Sequence, residues 1–230
     1  MQRIVFVTGS SGNLGRAITR KFLAAGDRVI GTLLPEEVYL PEDANKGLEN
    51  RHIDLLNESE TAAIIESDIK EFGGIDIAIL TAGGFSMGDI AQTGTSDFYN
   101  QLKLNFETTY NAARPIFLQM LKKGKGRIFM TGSRPGLDMK NGKGMTAYSL
   151  SKSLVFRLAE LMNEEAKGTD VIVTVLVPST IDTPQNRKSM PDADFSAWMR
   201  PDSIADIIFY YCSPEAAGLR EPVLKMYNKA

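Results

Sequence analysis

The chain has 230 residues, of which 43% are hydrophobic and 23% charged, and its formal net charge is −2. This composition is ordinary for a globular protein, the charge disfavours nucleic-acid binding, and no apolar run reaches the ~18 residues that a membrane span needs. One cysteine and one histidine argue against a disulfide framework, a histidine-based metal site and a serine-hydrolase triad, so we expect a cytoplasmic protein without a metal site.

The first predicted elements are a strand, a glycine-rich turn and a helix. Residues 3–7 form a β-branched apolar run typical of a strand buried on both faces, and an amphipathic helical pattern runs from Arg16 to Gly26. Glycines at positions 9, 12 and 15 lie around this turn. Such glycines permit a tight turn and a close approach of the backbone to a pyrophosphate, which the free N–H groups of the helix attract. Turn glycines without a ligand remain the alternative, because the spacing is not Gly-x-Gly-x-x-Gly.

Residues 28–34 predict a second strand without an acidic residue at its end. In NAD-binding units an acid at this position binds the ribose hydroxyls, whereas here the strand ends in Leu33-Leu34 and the first acid is Glu36. An acid would repel a 2′-phosphate, so its absence favours NADP over NAD. Arg16 or Arg28 is the candidate source of positive charge.

The rest of the chain alternates between strand and helix patterns. We expect a surface loop at 35–50, strands at 51–55, 75–80, 127–131, 171–177 and 222–227, and helices at 57–72, 96–122, 146–167 and 202–212. Asn57 is predicted to cap its helix, with Glu60 completing a capping box. The alternation predicts a single domain over residues 1–230: an α/β, doubly wound parallel sheet of the Rossmann type with helices on both faces.

Tyr148 and Lys152 lie one turn apart on the predicted helix 146–167, so their side chains project from the same face. The reference pKa of tyrosine is about 10, and an ammonium about 4 Å away favours the phenolate by about 4 kcal/mol at a dielectric of roughly 20. We therefore expect Lys152 to lower the pKa of Tyr148 by up to about three units. The pair would make a proton donor and acceptor. The spacing alone also fits a surface pair, since Tyr-x-x-x-Lys is common in helices.

Together these motifs resemble the short-chain dehydrogenase/reductase family over essentially the whole chain. Residues 8–15 resemble its nucleotide-binding turn, and Asp54-Leu55 resembles its adenine-contacting pair. Residues 81–83 and 178–183 resemble its Asn-Ala-Gly and Pro-Gly-x-x-x-Thr motifs, although Thr81 replaces the asparagine and Ser179 the glycine. The positions that fall in the order of its catalytic tetrad are Asn105, Ser133, Tyr148 and Lys152, with a wider gap than usual between Ser133 and Tyr148.

The resemblance implies an NAD(P)-dependent oxidoreductase that transfers a hydride between nicotinamide C4 and a carbonyl, alcohol or imine substrate. Tyr148 would be the acid or base, and Lys152 would lower its pKa and bind the nicotinamide ribose. Ser133 would stabilise the developing oxyanion, and Asn105 would order a water leading towards Lys152. The expected cofactor-binding residues are Gly9, Ser11, Asn13, Leu14, Asp54, Leu55, Ala82, Gly83, Lys152, Pro178, Ile181 and Thr183.

A narrower resemblance, to the dihydropteridine reductase branch, lies in residues 82–85 and 176–198. It makes reduction of a quinonoid pterin an alternative activity. That branch has an acid at the end of strand two and typically lacks the tetrad serine and asparagine, whereas this chain has Leu33, Ser133 and Asn105.

Three further expectations follow from the same residues. Residues 182–200, which include Arg187, Lys188, Phe195 and Trp198, are interpreted as a substrate lid, with a packed subunit-contact segment as the alternative. The family resemblance implies a homodimer or homotetramer formed through the long helices. A non-catalytic NAD(P)-sensing regulatory protein is the competing class, and the complete set of four tetrad residues argues against it.

Overall fold

A seven-stranded parallel sheet forms the centre of the protein in the computed structural model, which describes residues 2–39 and 47–229. Its strand order is β3-β2-β1-β4-β5-β6-β7, and every neighbouring pair is parallel. The strands are β1 (Ile4–Thr8), β2 (Arg28–Leu33), β3 (Leu48–His52), β4 (Ile77–Leu80), β5 (Lys125–Thr131), β6 (Asp170–Pro178) and β7 (Val223–Met226).

Helices cover both faces of this sheet. They are α1 (Asn13–Ala24), α2 (Glu58–Phe72), α3 (Thr95–Leu102), α4 (Thr108–Lys123), α5 (Arg134–Leu137), α6 (Thr146–Glu165), α7 (Pro184–Ser189) and α8 (Pro201–Tyr211). On one face the core joins α2, α4 and α6 to alternate strand residues, as Phe156 packs with Val177. On the other face α1 and α8 pack against the remaining strand residues, as Ile18 and Ile208 do against Val7. Successive strand residues alternate between the two cores because the sheet is pleated.

The order of the strands creates a switch point between β1 and β4. The chain leaves β1 towards β2 and β3, and then returns to place β4 on the other side of β1. In open α/β sheets ligands bind outside the carboxyl ends of the strands at such a point. The predicted doubly wound parallel sheet is confirmed, and the described residues contain no helix long and apolar enough to cross a bilayer.

Three predicted elements need correction. The third strand was expected at 51–55 and is instead β3, which pairs with β2 from Leu48 opposite Val29 to His52 opposite Leu33. This edge strand is half exposed and carries polar residues, so its sequence resembles a loop. The predicted loop 35–50 therefore ends in a strand, and its residues 40–46 lie outside the described residues. The helix expected at 96–122 is interrupted by a π-helical turn at Lys103–Glu107 between α3 and α4.

The start of α2 departs from the predicted capping box in one bond. Asn57 caps the helix as expected, because its Oδ1 accepts a hydrogen bond from the backbone N–H of Glu60 at 3.2 Å. The Glu60 carboxylate accepts from the Asn57 side chain at 3.1 Å, whereas the Asn57 backbone N–H donates to the Asp54 carbonyl at 2.9 Å. In a capping box the Glu60 carboxylate would accept from the Asn57 backbone N–H, and that bond is replaced here by one to the Asn57 side chain.

Candidate active site

The glycine turn after β1 is shaped for an anion. Gly9 has a φ of +62°, which favours glycine, and its N–H donates to the Thr32 hydroxyl at 3.1 Å. A Cβ at Gly15 would overlap the Gly9 carbonyl oxygen, so only glycine lets α1 begin this close to the turn. The residue before α1 is Gly12, which has no side chain to cap the helix. The first N–H groups of α1 are thus available to a phosphate, and the turn fits a dinucleotide.

The predicted cofactor residues lie at one edge of the sheet. The ends of β1 and β4 are tied together there, because the Thr81 hydroxyl donates to the Thr8 carbonyl at 2.6 Å and the Ala82 N–H donates to the Thr8 hydroxyl at 3.0 Å. The residues that follow the carboxyl ends of the strands are Gly9, Ser11, Asn13 and Leu14 after β1, Asp54 and Leu55 after β3, Ala82 and Gly83 after β4, and Pro178, Ile181 and Thr183 at the end of β6 and beyond. The structure brings together what the sequence separates by up to 174 positions.

Lys152 is buried on the inner face of α6, where its side chain is 4% exposed. Its ammonium donates to the Thr131 carbonyl at the end of β5 at 2.8 Å. A Cβ at Gly83 would lie 3.2 Å from this Nζ atom and 2.7 Å from Oδ1 of Asn105, so the end of β4 also touches the site. Burial lowers the pKa of Lys152 from 10.5 to about 8.

Tyr148 stands at the mouth of the site, one turn before Lys152. Its ring meets the Phe85 ring edge to face, with 4.9 Å between centroids and 79° between planes. Burial raises the pKa of the Tyr148 phenol above 10.0, although the Ser133 side chain acts in the opposite direction. The predicted lowering by Lys152 is therefore wrong for this structure. Loss of solvation is the larger cause and the Ser133 side chain the opposing one, while the Lys152 ammonium donates to the Thr131 carbonyl.

Asn105 lies in the π-helical turn and is fully buried. Its Oδ1 accepts from the Gly84 N–H at 3.0 Å, while its Nδ2 donates to Gln101 at 3.0 Å and to Ser151 at 3.2 Å. The asparagine thereby joins the loop after β4 to α6. A π-helical turn often marks a functional position in a helix, and the predicted water near Asn105 stays a prediction.

Ser133 caps the short helix α5, and its hydroxyl accepts from the Gly136 N–H at 3.1 Å. The wide sequence gap between Ser133 and Tyr148 accommodates α5 and a 3₁₀ turn at Met139–Asn141. These two elements return the chain to α6, so the serine still faces the phenol of Tyr148.

The two arginines considered for a 2′-phosphate lie at different ends of the sheet. Arg28 begins β2 at its amino end, 3.4 Å from Glu49, so the structure removes it as a candidate. Arg16 lies in the first turn of α1, donates to the Ser11 carbonyl at 2.5 Å and has its guanidinium 5.0 Å from the centroid of the Tyr39 ring. Arg16 therefore places its positive charge beside the glycine turn, at the carboxyl edge of the sheet.

Residues 182–200 leave the sheet edge and return to the same place. The Asp182 N–H donates to the Met199 carbonyl at 2.8 Å, and the Met199 N–H donates to the Thr180 carbonyl at 2.9 Å. Between these bonds, Arg187 pairs with Asp182 at 2.6 Å and stacks 4.7 Å from the centroid of the Phe195 ring. Together with the buried Trp198, these side chains border a cavity of about 550 Å³.

Some functional neighbours escaped the sequence reasoning. The Thr131 carbonyl that holds Lys152 has no sequence signal, because every residue has a carbonyl. Phe85 belongs to the narrower resemblance, but its packing on Tyr148 depends on the folded loop. Gln101 had a usable signal, since it precedes Asn105 by four positions in a helical pattern.

Comparison with known proteins agrees with this geometry. The family model described as short chain dehydrogenase matches residues 3–194. A 3-oxoacyl-(acyl-carrier-protein) reductase FabG from Vibrio harveyi is 30% identical over 231 residues, which cover 94% of this chain and 91% of that protein. An acetoacetyl-CoA reductase from Acinetobacter sp. (strain RA3849) is 26% identical over 190 residues, covering 80% and 76% respectively.

The solved structure of ElxO with NADP bound has the same fold, with a TM-score of 0.87 at 21% sequence identity over 98% of this chain and 97% of that one. The names of these relatives give no support to the narrower resemblance to dihydropteridine reductases, nor to a non-catalytic sensor. With a nucleotide turn, a buried lysine and a tyrosine at one edge of a doubly wound sheet, the chain belongs to the short-chain dehydrogenase family and is an NAD(P)-dependent oxidoreductase.

Proposed function

We propose that residues 1–230 act as one NADP-binding domain that reduces the carbonyl group of a small substrate, with Tyr148 as the acid. The observation that carries this proposal is the convergence of Tyr148, Lys152 and Ser133 at the edge that also carries the glycine turn. The Tyr148 phenol, whose pKa burial raises, holds its proton at neutral pH and can give it to a forming alkoxide. The named relatives that reduce 3-oxoacyl and acetoacetyl groups support a carbonyl substrate.

The coenzyme supplies the hydride when it is bound, and the chain supplies binding, orientation and the proton. The glycine turn and the start of α1 would hold the pyrophosphate, and Lys152 would hold the nicotinamide ribose once it turns from the Thr131 carbonyl. The Ser133 hydroxyl would stabilise charge on the substrate oxygen next to the phenol. Asn105 fixes the loop after β4 through Gly84, which keeps the site's wall in place.

The choice of NADP is supported by charge. β2 ends at the apolar Leu33, and Arg16 is exposed beside the turn. An arginine pairs well with a phosphate, whereas an acid at the strand end would repel it.

The direct test is NADPH oxidation followed across a panel of 3-oxo thioesters, simple ketones and a quinonoid pterin, together with the shift of melting temperature by each nucleotide. We expect turnover with at least one 3-oxo compound and a larger shift with NADPH than with NADH. Turnover of the pterin alone would establish the alternative activity. Nucleotide binding without turnover of any carbonyl or pterin would contradict the reductase proposal.

We also propose that residues 182–200 form a lid over the substrate. The segment lies directly after Pro178 and Ile181, and its two ends meet at a single point of the sheet edge. Its outer part, residues 184–192, is largely exposed, while Trp198 anchors the returning end in the protein. Compact surface loops whose two ends lie close together frequently have a functional role.

A homodimer or homotetramer is proposed from apolar residues that α4 and α6 expose. On α6, Leu150, Leu154 and Leu161 recur at helical spacing, and Leu161 is 63% exposed. On α4, the apolar side chains of Tyr110 and Leu118 are likewise exposed at helical spacing. Two such stripes on adjacent helices offer a self-complementary face to a second copy.

A further inference from the structure

Ser179 carries a buried hydroxyl without a hydrogen-bond partner in the part of the chain that the structure describes. The residue is 6% exposed. A buried polar group without a partner costs stability, so native proteins rarely keep one. A ligand bound beside Ser179 can supply the missing hydrogen bond.

The position of Ser179 places its side chain on the face of the sheet that α6 covers, and α6 carries Tyr148 and Lys152. Its backbone N–H donates to the Met226 carbonyl at 2.8 Å, which continues the β6–β7 ladder one residue beyond β6. Val177, two residues earlier, packs in the core that contains Val155 and Phe156 of α6. Since side chains alternate along an extended chain, Ser179 lies on the side of the sheet that α6 covers.

The neighbouring polar groups of this turn are already engaged by Asn186. Its side-chain amide donates to the Ile181 carbonyl at 2.8 Å, and its backbone N–H donates to the Thr183 hydroxyl at 3.1 Å. One acceptor on each of these two residues is thus used within the protein. Within this turn, Ser179 has a buried hydroxyl that lacks a partner among the described residues.

We propose that the Ser179 hydroxyl forms a hydrogen bond with the carboxamide of the bound nicotinamide. This inference rests on the proposed function and on the expected place of Pro178, Ile181 and Thr183 among the coenzyme-binding residues. A carboxamide has both donors and an acceptor, and a hydroxyl can serve either. Glycine, which the family motif has at this position, cannot form this bond, so the contact is particular to chains with a serine here.

The test compares Ser179→Ala with the wild type by calorimetric titration of two nucleotides. NADPH carries the carboxamide, whereas 2′,5′-ADP lacks the nicotinamide and reports the adenine half alone. Loss of one hydrogen bond predicts a Kd for NADPH that rises about three- to tenfold and a Kd for 2′,5′-ADP that does not change. Urea unfolding of the free protein should show no loss of stability, because the alanine removes a hydroxyl that had no partner.

Two further variants keep the comparison sharp. Ser179→Gly restores the residue of the family motif and should reproduce the weaker NADPH binding, which covers a failure of the alanine variant to fold. Thr19→Val removes another buried hydroxyl that lacks a partner among the described residues, but within α1, and should leave both dissociation constants unchanged.

Three results would overturn the inference. Unchanged NADPH binding by Ser179→Ala would remove the contact, and an equal loss of affinity for both nucleotides would show a general distortion. A higher KM for the substrate with an unchanged Kd for NADPH would assign the hydroxyl to the substrate. Failure of the wild type to bind either nucleotide would instead contradict the proposed function itself.

Discussion

At the scale of single residues, burial shifts the pKa values of the two central titratable groups in opposite directions. It raises the pKa of Tyr148 and lowers the pKa of Lys152 to about 8. At neutral pH the phenol keeps its proton and the amine is mostly charged. Pairs of groups whose environments shift them in opposite directions are typical of acid and base assignments in active sites.

Tyr148→Phe is the first prediction at this scale. The ring and its contact with Phe85 are retained while the proton is lost, so kcat should fall on the order of 10²–10⁴ with NADPH binding unchanged. Steady-state kinetics and titration measure the two quantities. Tyr210→Phe, on the exposed side of α8, is the matched control and should retain full activity. Full turnover by Tyr148→Phe would remove the tyrosine from the mechanism.

Lys152→Met should change the pH dependence of stability. At pH 7 the folded and unfolded chains both carry the ammonium, and the folded chain bears the cost of burying it. Between about 8 and 10.5 the folded amine loses its proton while the unfolded one retains it, so the stability of the wild type rises with pH in this window.

Relative to Lys152→Met, the free energy of unfolding of the wild type should therefore rise by about 2–3 kcal/mol between pH 7 and pH 10. Urea unfolding at the two pH values measures it. Lys167→Met, an exposed lysine beyond α6, should give curves parallel to the wild type. A constant difference between wild type and Lys152→Met would contradict the burial of the charge.

Arg16→Met tests the choice of nucleotide. Without the guanidinium, the Kd for NADPH should rise about tenfold and the Kd for NADH should stay unchanged, since only NADPH carries the 2′-phosphate. Arg28→Met removes the same charge at the opposite end of β2 and should leave both values as they are. Equal losses for the two nucleotides would show that Arg16 does not select the phosphate.

At the scale of elements, the lid has a prediction of its own. Phe195→Ala removes the ring that contacts both Arg187 and Trp198. The KM for the substrate should rise several-fold while kcat and the Kd for NADPH stay unchanged, which is the pattern of lost substrate binding. Tyr210→Ala is the control for removing an aromatic ring. An unchanged KM together with a change of oligomeric state would favour the subunit-contact alternative.

The elements also show what the sequence could predict. Strong apolar patterns predicted the central strands and α6 to within a few residues, whereas β3 was displaced because an edge strand carries residues such as Glu49 and Arg51. The π-helical turn around Asn105 had no sequence signal, since it changes the bonding of the backbone and not the pattern of side chains. The glycine turn and the Tyr148–Lys152 spacing were readable because each needs particular residues at fixed positions. The pKa of Tyr148 could not be predicted from the sequence, because the solvation of its phenol depends on tertiary packing.

At the scale of the whole molecule, the prediction concerns assembly. Leu161→Arg places a charge on the exposed stripe of α6 and should convert the dimer or tetramer into smaller species at micromolar concentration, as measured by sedimentation velocity. Leu219→Arg, at an exposed residue outside α4 and α6, should leave the mass unchanged. A monomeric wild type, or an unaffected mass for Leu161→Arg, would contradict the proposed interface.

The paired backbone bonds that close residues 182–200 have a consequence for engineering. Because Ile181 and Met199 meet in a single isolated bridge, the intervening chain adds no strand to the sheet. The segment 182–200 can therefore be replaced as a unit. A segment of different length, grafted between the same two ends, should leave the sheet unchanged and alter the substrate specificity.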